Sequence, residues 1–382
     1  MMLSQADLHE LSGLELRPAI SVLMPTHHAG PDIRQDPIRL KNLLRHVERQ
    51  LDERGLSTSE IARLTGPAHD LLDDRAFWRH AEEGLAVYAA PNFFRAYRSP
   101  QPFRERAMVT ERFHVTQLFP LISEDRRFYV LALSQNDVRL IEATRTAATQ
   151  VDLGELPKSL SEALLTEAPG QELQHHVVSA VGGSRAAMFH GHGPGLENRK
   201  DEIRQFFHQL DRGLHPFLTD RQAPLVVAGV DYLLPLYREA NTHPRLLAEG
   251  IHGNPEGDSP ASLGARAWNI VRRHLKEADE GAALDRYQQL AGSGRVSADL
   301  PTVLRAAHEG RVAHLFLTTD VERWGTFEPD SGAVTLREGP GAAVEDLLNV
   351  AAIHAFRRGA PVHVLDRPRV PGGGDLAAIC RY

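Results

Sequence analysis

Cysteine is almost missing: the 382 residues hold one, Cys380. That excludes an internal disulfide framework and fits a reducing compartment. Lysine is scarce as well, four against 39 arginines, a skew that genome composition accounts for. A long apolar run is lacking. The nearest, LVVAGVDYLLPLY over 225–237, is interrupted by Asp231 and Pro235 and is too short to span a bilayer. The opening MMLSQADLHELSGL has neither a basic flank nor an apolar core, so no signal peptide is expected. The expected place is the cytoplasm, with no membrane partner.

Positive charge is not in excess either. The formal net charge is −7, which excludes a protein that coats nucleic acid through a general positive field. Residues 1–123 carry 15 basic against 16 acidic side chains, 124–262 carry 13 against 19, and 263–382 carry 15 against 15. The middle third therefore holds nearly all the acidity, and any RNA contact has to be local. HExxH, CxxC, GxSxG and the Lys-Ser/Thr pair of a P-loop are all missing, so no cofactor is expected. There is no internal repeat and no low-complexity run.

A chain of this length exceeds one hydrophobic core. AISVLMPT (19–26) reads as a buried strand, and 38–51 as an amphipathic helix with Leu40, Leu43, Leu44, Val47 and Leu51 on one face. GLAVYAAP (84–91) and FFRAYRSP (93–100) read as successive strands, and 128–144 as a hairpin. A helix over about 197–217 comes next, with Ile203, Phe206, Phe207, Leu210 and Leu214 at helical spacing. The segments 224–230, 314–320, 361–366 and 376–382 read as strands; 231–240, 263 to about 275, and 343–357 read as helices. HGNPEGDSPAS (252–262) has the composition of a linker. The expectation is an α/β and α+β chain, mixed sheets flanked by helices, in three domains over 1–123, 124–262 and 263–382.

Several stretches carry possible chemistry. In MFHGHGPGLENRKDEI (188–203), His190 and His192 lie two apart and suit a metal on one strand face, but zinc needs further ligands that the spacing does not supply. The glycines lead into a helix as a phosphate cradle would, yet Glu197, Asp201 and Glu202 crowd its start and serve the helix dipole instead. Around the first long helix lie Arg34, Arg39, Lys41, Arg45 and Arg49. Two uses stand open for them, phosphate contact and intrahelical pairs with Glu48 and Asp52. Phe93, Phe94 and Tyr97 with Arg95 and Arg98 form an aromatic–basic ribbon. It suits base stacking, and equally a sheet face buried under a helix.

Set in order, ISVLMPTH (20–27), QDPIRLKNLL (35–44), FHGHGPG (189–195), KDEIRQFFHQLDRGLHPFL (200–218), PLVVAGVDYLLPLYREAN (224–241), AAIHAFRRGAPVHVLD (351–366) and GGGDLAAICRY (372–382) carry a resemblance. The chain resembles the archaeo-eukaryotic class I release factor superfamily, which includes Pelota, and most of all its bacterial branch, where ribosome hibernation factors belong. The resemblance implies a three-domain architecture: a decoding-site domain, a middle domain whose loop reaches the peptidyl transferase centre, and a kink-turn-binding-like domain that contacts a translational GTPase.

It also gives the Gly/His stretch a role. The family's HGRGGQ laid on HGHGPG matches His190, Gly191 and Gly193, and puts His192 at the arginine, Pro194 at the second glycine and Gly195 at the catalytic glutamine. Pro194 fixes φ and removes an N–H, and Gly195 has no side chain to place a hydrolytic water. Peptide release is not expected. DIRQDP (32–37) stands where stop-codon readers have Asn-Ile-Lys-Ser, so the implied decoding-site contact of Arg34, Arg39 and Lys41 is with phosphates, independent of sequence. The resemblance thus implies a ribosome-binding hibernation or stress factor that fills the A site as a tRNA mimic, touching ribosomal RNA, with elongation factor Tu or another translational GTPase as partner. Two alternatives stand beside it: a hydrolase of peptidyl-tRNA or RNA using His190 and His192, and a Pelota-like rescue factor.

Overall fold

The structure is a computed structural model that describes residues 3–28, 30–122, 126–134, 136–154, 156–157, 159, 195–341 and 343–382. Two compact units divide the chain: 1–123 together with 280–382, and 124–279.

The first third begins with helix α1 (Gln5–Gly13), closed at its start by a Ser4/Asp7 capping box. Strand β1 (Ala19–Pro25) is buried along almost its whole length. It leads through a 3-10 turn, Pro31–Gln35, into α2 (Asp36–Glu53), which has proline in its first turn. Gly55 adopts φ 84° just past the end of α2 and lets the chain turn back. A second capping box, Ser57/Glu60, then starts α3 (Thr58–Asp73). Short α4 (Arg75–Arg79) is capped by Asp74. Strands β2 (Gly84–Ala90), β3 (Phe93–Ser99) and β4 (Arg106–Thr110) complete an antiparallel sheet in the order β3-β2-β1-β4. Because side chains alternate across a strand, β1 sends Ile20, Val22 and Met24 to one core and Ala19 and Leu23 to another. The first core is closed by Leu40, Leu43, Leu44, Val47 and Leu51 of α2.

In the middle unit, β5 (Phe128–Leu133), β6 (Val138–Ala143), β7 (Ala148–Val151), β8 (Leu225–Gly229) and β9 (Ile251–His252) form a mixed sheet in the order β7-β6-β5-β8-β9. The β5–β6 and β6–β7 pairs are antiparallel; β5–β8 and β8–β9 are parallel. One face packs on α5 (Gly195–Leu214) and α6 (Leu233–Ala240) through Ile203, Phe206, Phe207 and Tyr237. The other face takes Leu263, Ala267, Ile270 and Val271 from the start of α7 (Pro260–Gln289).

The last third contributes β10 (Val296–Ser297), α8 (Leu300–His308), β11 (Val312–Leu317) and a small sheet of β12 (Trp324–Glu328), β13 (Ala333–Leu336) and β14 (Glu345–Asp346). Helix α9 (Leu347–Arg357), β15 (Val362–Val364) and β16 (Leu376–Cys380) complete it, and the larger sheet runs β10-β16-β11-β15. Val303 and Leu304 of α8 and Leu347, Val350 and Ala351 of α9 share one core with Leu8, Leu11, Leu23, Tyr88 and Tyr97. The first sheet is thus covered on both faces, by α2 and α3 on one and by elements of the last third on the other. The chain is α/β and α+β, with mixed sheets flanked by helices. No helix among the described residues is long and apolar enough to cross a membrane.

Candidate functional site

The loop between β1 and α2 is built around one buried carboxylate. Asp36 has 0 % of its surface exposed. It accepts a hydrogen bond from the His27 backbone N–H at 2.8 Å, and its other oxygen lies 3.0 Å from His27 Nδ1. The Arg39 guanidinium sits 3.7 Å from the same carboxylate, donates to the Pro25 carbonyl at 3.2 Å and reaches Glu105 at 3.5 Å. A charged acceptor inside a protein holds its donors tightly, and a carboxylate at the first turn of α2 also meets the helix dipole favourably. Thr26 extends the anchor, donating from its hydroxyl to the Glu82 carbonyl at 2.7 Å.

Of the three residues assigned here from sequence, Arg34 and Lys41 are exposed and Arg39 turns onto the Asp36 carboxylate and the Pro25 carbonyl. Residue spacing assigns no role to His27 or Asp36, the two that hold the loop. The one local signal is the Asp-Pro step that opens α2.

The second assigned cluster falls largely outside the described residues, which leave out His190, Gly191, His192, Gly193 and Pro194; Gly195 is the first residue of α5. Helix α5 itself is well braced. Arg204 pairs with Asp201 at 3.0 Å and with Glu239 at 3.1 Å. Buried Asp211 accepts from the Thr242 backbone N–H at 3.0 Å and its hydroxyl at 2.6 Å. Among the described residues no three metal-ligating side chains come together.

A His–Asp pair with the look of catalytic machinery lies instead in the core shared by the first and last thirds. His114 Nε2 is 3.2 Å from Asp346 Oδ2, and the two residues are 4 % and 5 % exposed. Around them, Asn349 accepts from Val115 N–H at 2.9 Å and donates to the Phe113 carbonyl at 3.0 Å. The Ser21 hydroxyl accepts from His114 N–H, and the Tyr88 hydroxyl donates to the His114 carbonyl, each at 2.9 Å. Burial holds the Tyr88 hydroxyl well above its ordinary pKa, so it remains a donor. Buried this deeply, the network joins strands rather than acting on a substrate. An exposed pair also exists, Asp231 and His252 at 2.6 Å, at the ends of β8 and β9, and its exposure weakens the coupling.

Electrostatic perturbation concentrates elsewhere. Burial first, and then Arg112 and the neighbouring His308, Arg357 and Arg358, push His354 of α9 down to about 4. Burial also lowers His314 of β11 and raises Glu345, which Arg112 partly offsets.

Comparison with known proteins adds a family to this geometry. Residues 127–311 match the model of the bacterial archaeo-eukaryotic release factor family 3. No curated protein matches the chain. Among solved structures, the archaeal translation termination factor aRF1 is similar at 15% identity and a TM-score of 0.25, over 100% of this chain and 99% of that one. The Archaeoglobus fulgidus Pelota gives 12% identity and a TM-score of 0.39 over 78% and 79%. An archaeal Pelota bound to the ribosome with ABCE1 gives 10% and 0.34 over 98% and 93%. The likeness to the family lies in residues 127–311.

Proposed function

We propose that this chain, whose residues 127–311 match the model of the bacterial archaeo-eukaryotic release factor family 3, is a ribosome-binding translation factor that fills the A site without releasing peptide. The family match carries the reading, because its span encloses the Gly/His stretch 190–195 and the helix α5 behind it.

The chemistry of that stretch supports a contact without hydrolysis. Release of peptide from tRNA needs a water held against the ester, and holding it costs entropy that a side chain must already have met. Gly195 offers no such side chain, and Pro194 has no N–H to give. A factor that binds where a release factor binds but cannot cut would block the site, and the physiological use of such a block is hibernation or stress protection. Delivery by elongation factor Tu, or by another translational GTPase meeting the last third, completes the proposal. Arg34 and Lys41, exposed beside the anchored loop, would meet decoding-site phosphates.

Purified protein is expected to co-sediment with bacterial ribosomes at physiological salt, to compete with A-site tRNA, and to leave peptidyl-tRNA intact. Failure to co-migrate, with and without elongation factor Tu, would overturn the binding. Hydrolysis of peptidyl-tRNA that His192→Ala abolishes would overturn the claim of a non-cutting loop.

A further inference from the structure

The basic residues of α2 had two possible uses, and the structure separates them. Lys41, Arg45 and Arg49 are all exposed, at positions i, i+4 and i+8 of α2. At 100° and 1.5 Å per residue they lie within an arc of about 80° and rise in steps of about 6 Å. The arc is on the far side of the helix from the buried row Leu40, Leu43, Leu44, Val47 and Leu51.

No ion pair occupies any of the three among the described residues. Glu48, three residues beyond Arg45 and able to neutralise it, is turned to α3, where His69 Nε2 lies 2.7 Å away and the Thr65 hydroxyl donates at 3.4 Å. Some arginines elsewhere are paired. Arg17 pairs with Glu111, Arg106 with Glu322, Arg273 with Glu249 and Arg311 with Glu309, all within 2.9 Å. Like charges four apart on a helix repel, so the row adds nothing to the stability of α2. A polyanionic partner would turn that repulsion into attraction.

We propose that the solvent face of α2 is a phosphate rail: Lys41, Arg45 and Arg49 take successive backbone phosphates of a structured RNA, with Arg34 extending the row at its N-terminal end and Asp52 closing it. The choice of RNA rests on the reading that the chain works on the ribosome. The geometry favours it over an anionic membrane, because the apolar face of α2 lies in the core and only Ile38, 53 % exposed, stands near the rail. A membrane-surface helix needs a free apolar face to insert.

The test is a salt titration of the full chain against a structured ribosomal RNA fragment, with anionic vesicles as the second arm. Combined Lys41→Gln, Arg45→Gln and Arg49→Gln keeps good helix formers at exposed sites. The slope of log affinity against log salt is expected to fall in magnitude by about 2 to 3, with affinity down about tenfold or more at low salt. Combined Arg212→Gln, Arg221→Gln and Arg337→Gln, equal in charge and distant in sequence, should leave the slope as it is. The proposal is overturned if the α2 variant keeps the wild-type slope, if the control loses as much, or if wild type binds vesicles through the same residues while ignoring RNA. Ribosome co-sedimentation is read separately. Loss of RNA binding in the α2 variant with a wild type that never meets ribosomes sinks the A-site reading and leaves the rail standing. Ribosome binding with no effect of the α2 substitutions does the reverse.

Discussion

His354 should make the unit formed by the first and last thirds sensitive to mild acid. Its ring lies 5.0 Å from that of His308 and 6.0 Å from that of Phe327, and it is held neutral by burial and by the arginines around it, at about 4 against an ordinary 6.5. Above pH 6.5 neither the folded nor the unfolded chain protonates this residue. As pH falls below that value the unfolded chain takes up a proton that the folded chain refuses, so the unfolded state gains. Stability contributed by the neutral ring is therefore complete above pH 6.5 and is lost progressively toward pH 4. At 1.36 kcal/mol per pH unit, the gap amounts to about 3 kcal/mol, a large share of a typical folding free energy.

The assay is urea unfolding at pH 7, 6, 5 and 4, in a Trp268→Phe background. The fluorescence then comes from Trp78 and Trp324, both in this unit. His354→Phe keeps an aromatic ring beside His308 and Phe327 and removes the titration. His314, lowered by burial in the same unit, tilts the wild-type curve in the same direction, so the difference between wild type and variant is what isolates His354. The difference should grow by about 3 kcal/mol from pH 7 to pH 4. A difference that stays flat across this range would refute the reasoning.

Three further substitutions test the architecture around the site. Asp36→Ala leaves the His27 N–H without its acceptor and takes the carboxylate from beside Arg39, and should cost about 1 to 3 kcal/mol in urea unfolding, with faster proteolysis of the loop before α2. Asn349→Ala strips partners from Val115 N–H and the Phe113 carbonyl in the core; about 2 to 4 kcal/mol should go, read as a lower urea midpoint. Gly325→Ala places a methyl 2.8 Å from Leu347 Cδ1 and against the Thr335 carbonyl, where β12 crosses β13 and the start of α9. It should lower stability by about 1 to 3 kcal/mol, read as a lower urea midpoint.

Local order is plain in the sequence wherever one periodicity rules. The leucine and valine row of α2, the buried run of β1 and the hairpin of β5 and β6 all follow from spacing that burial alone can satisfy. Errors fall where a single polar contact outweighs the pattern. A helix expected from Ala343 starts at Leu347, because the Asp346 carboxylate accepts from Leu348 N–H at 3.2 Å and ends the strand before it. The helix expected to stop near Leu275 runs to Gln289, since Ala283 is buried with Phe316 and Ile379 beyond a stretch with no apolar rhythm. HGNPEGDSPAS has linker composition, yet the Arg139 guanidinium donates to the Asp258 carbonyl at 3.0 Å and ties it to β6. The His114–Asp346 contact joins residues 232 positions apart, a separation at which local pattern carries no information.

The candidate contact surfaces show the same limit in a sharper form, because two segments of similar composition meet opposite fates. Aromatic and basic residues alternate through 93–98, as they do on RNA-stacking sheets, but the rings are already occupied. Tyr97 is 1 % exposed, Phe93 packs on Phe113 with centroids 5.2 Å apart, and Phe94 lies against the core under α2. Arg98 places its guanidinium on the face of Phe77, 4.4 Å from the centroid, and on the Phe77 carbonyl. A base cannot stack on a ring whose face is covered, so that ribbon is a structural feature of the sheet. On α2 the tertiary fold works the other way: α3 draws Glu48 aside through His69 and leaves Arg45 without the acid its own helix supplied. On the rail proposed above, α2 offers RNA its charge. An RNA held that way is read by its phosphates and not by its bases.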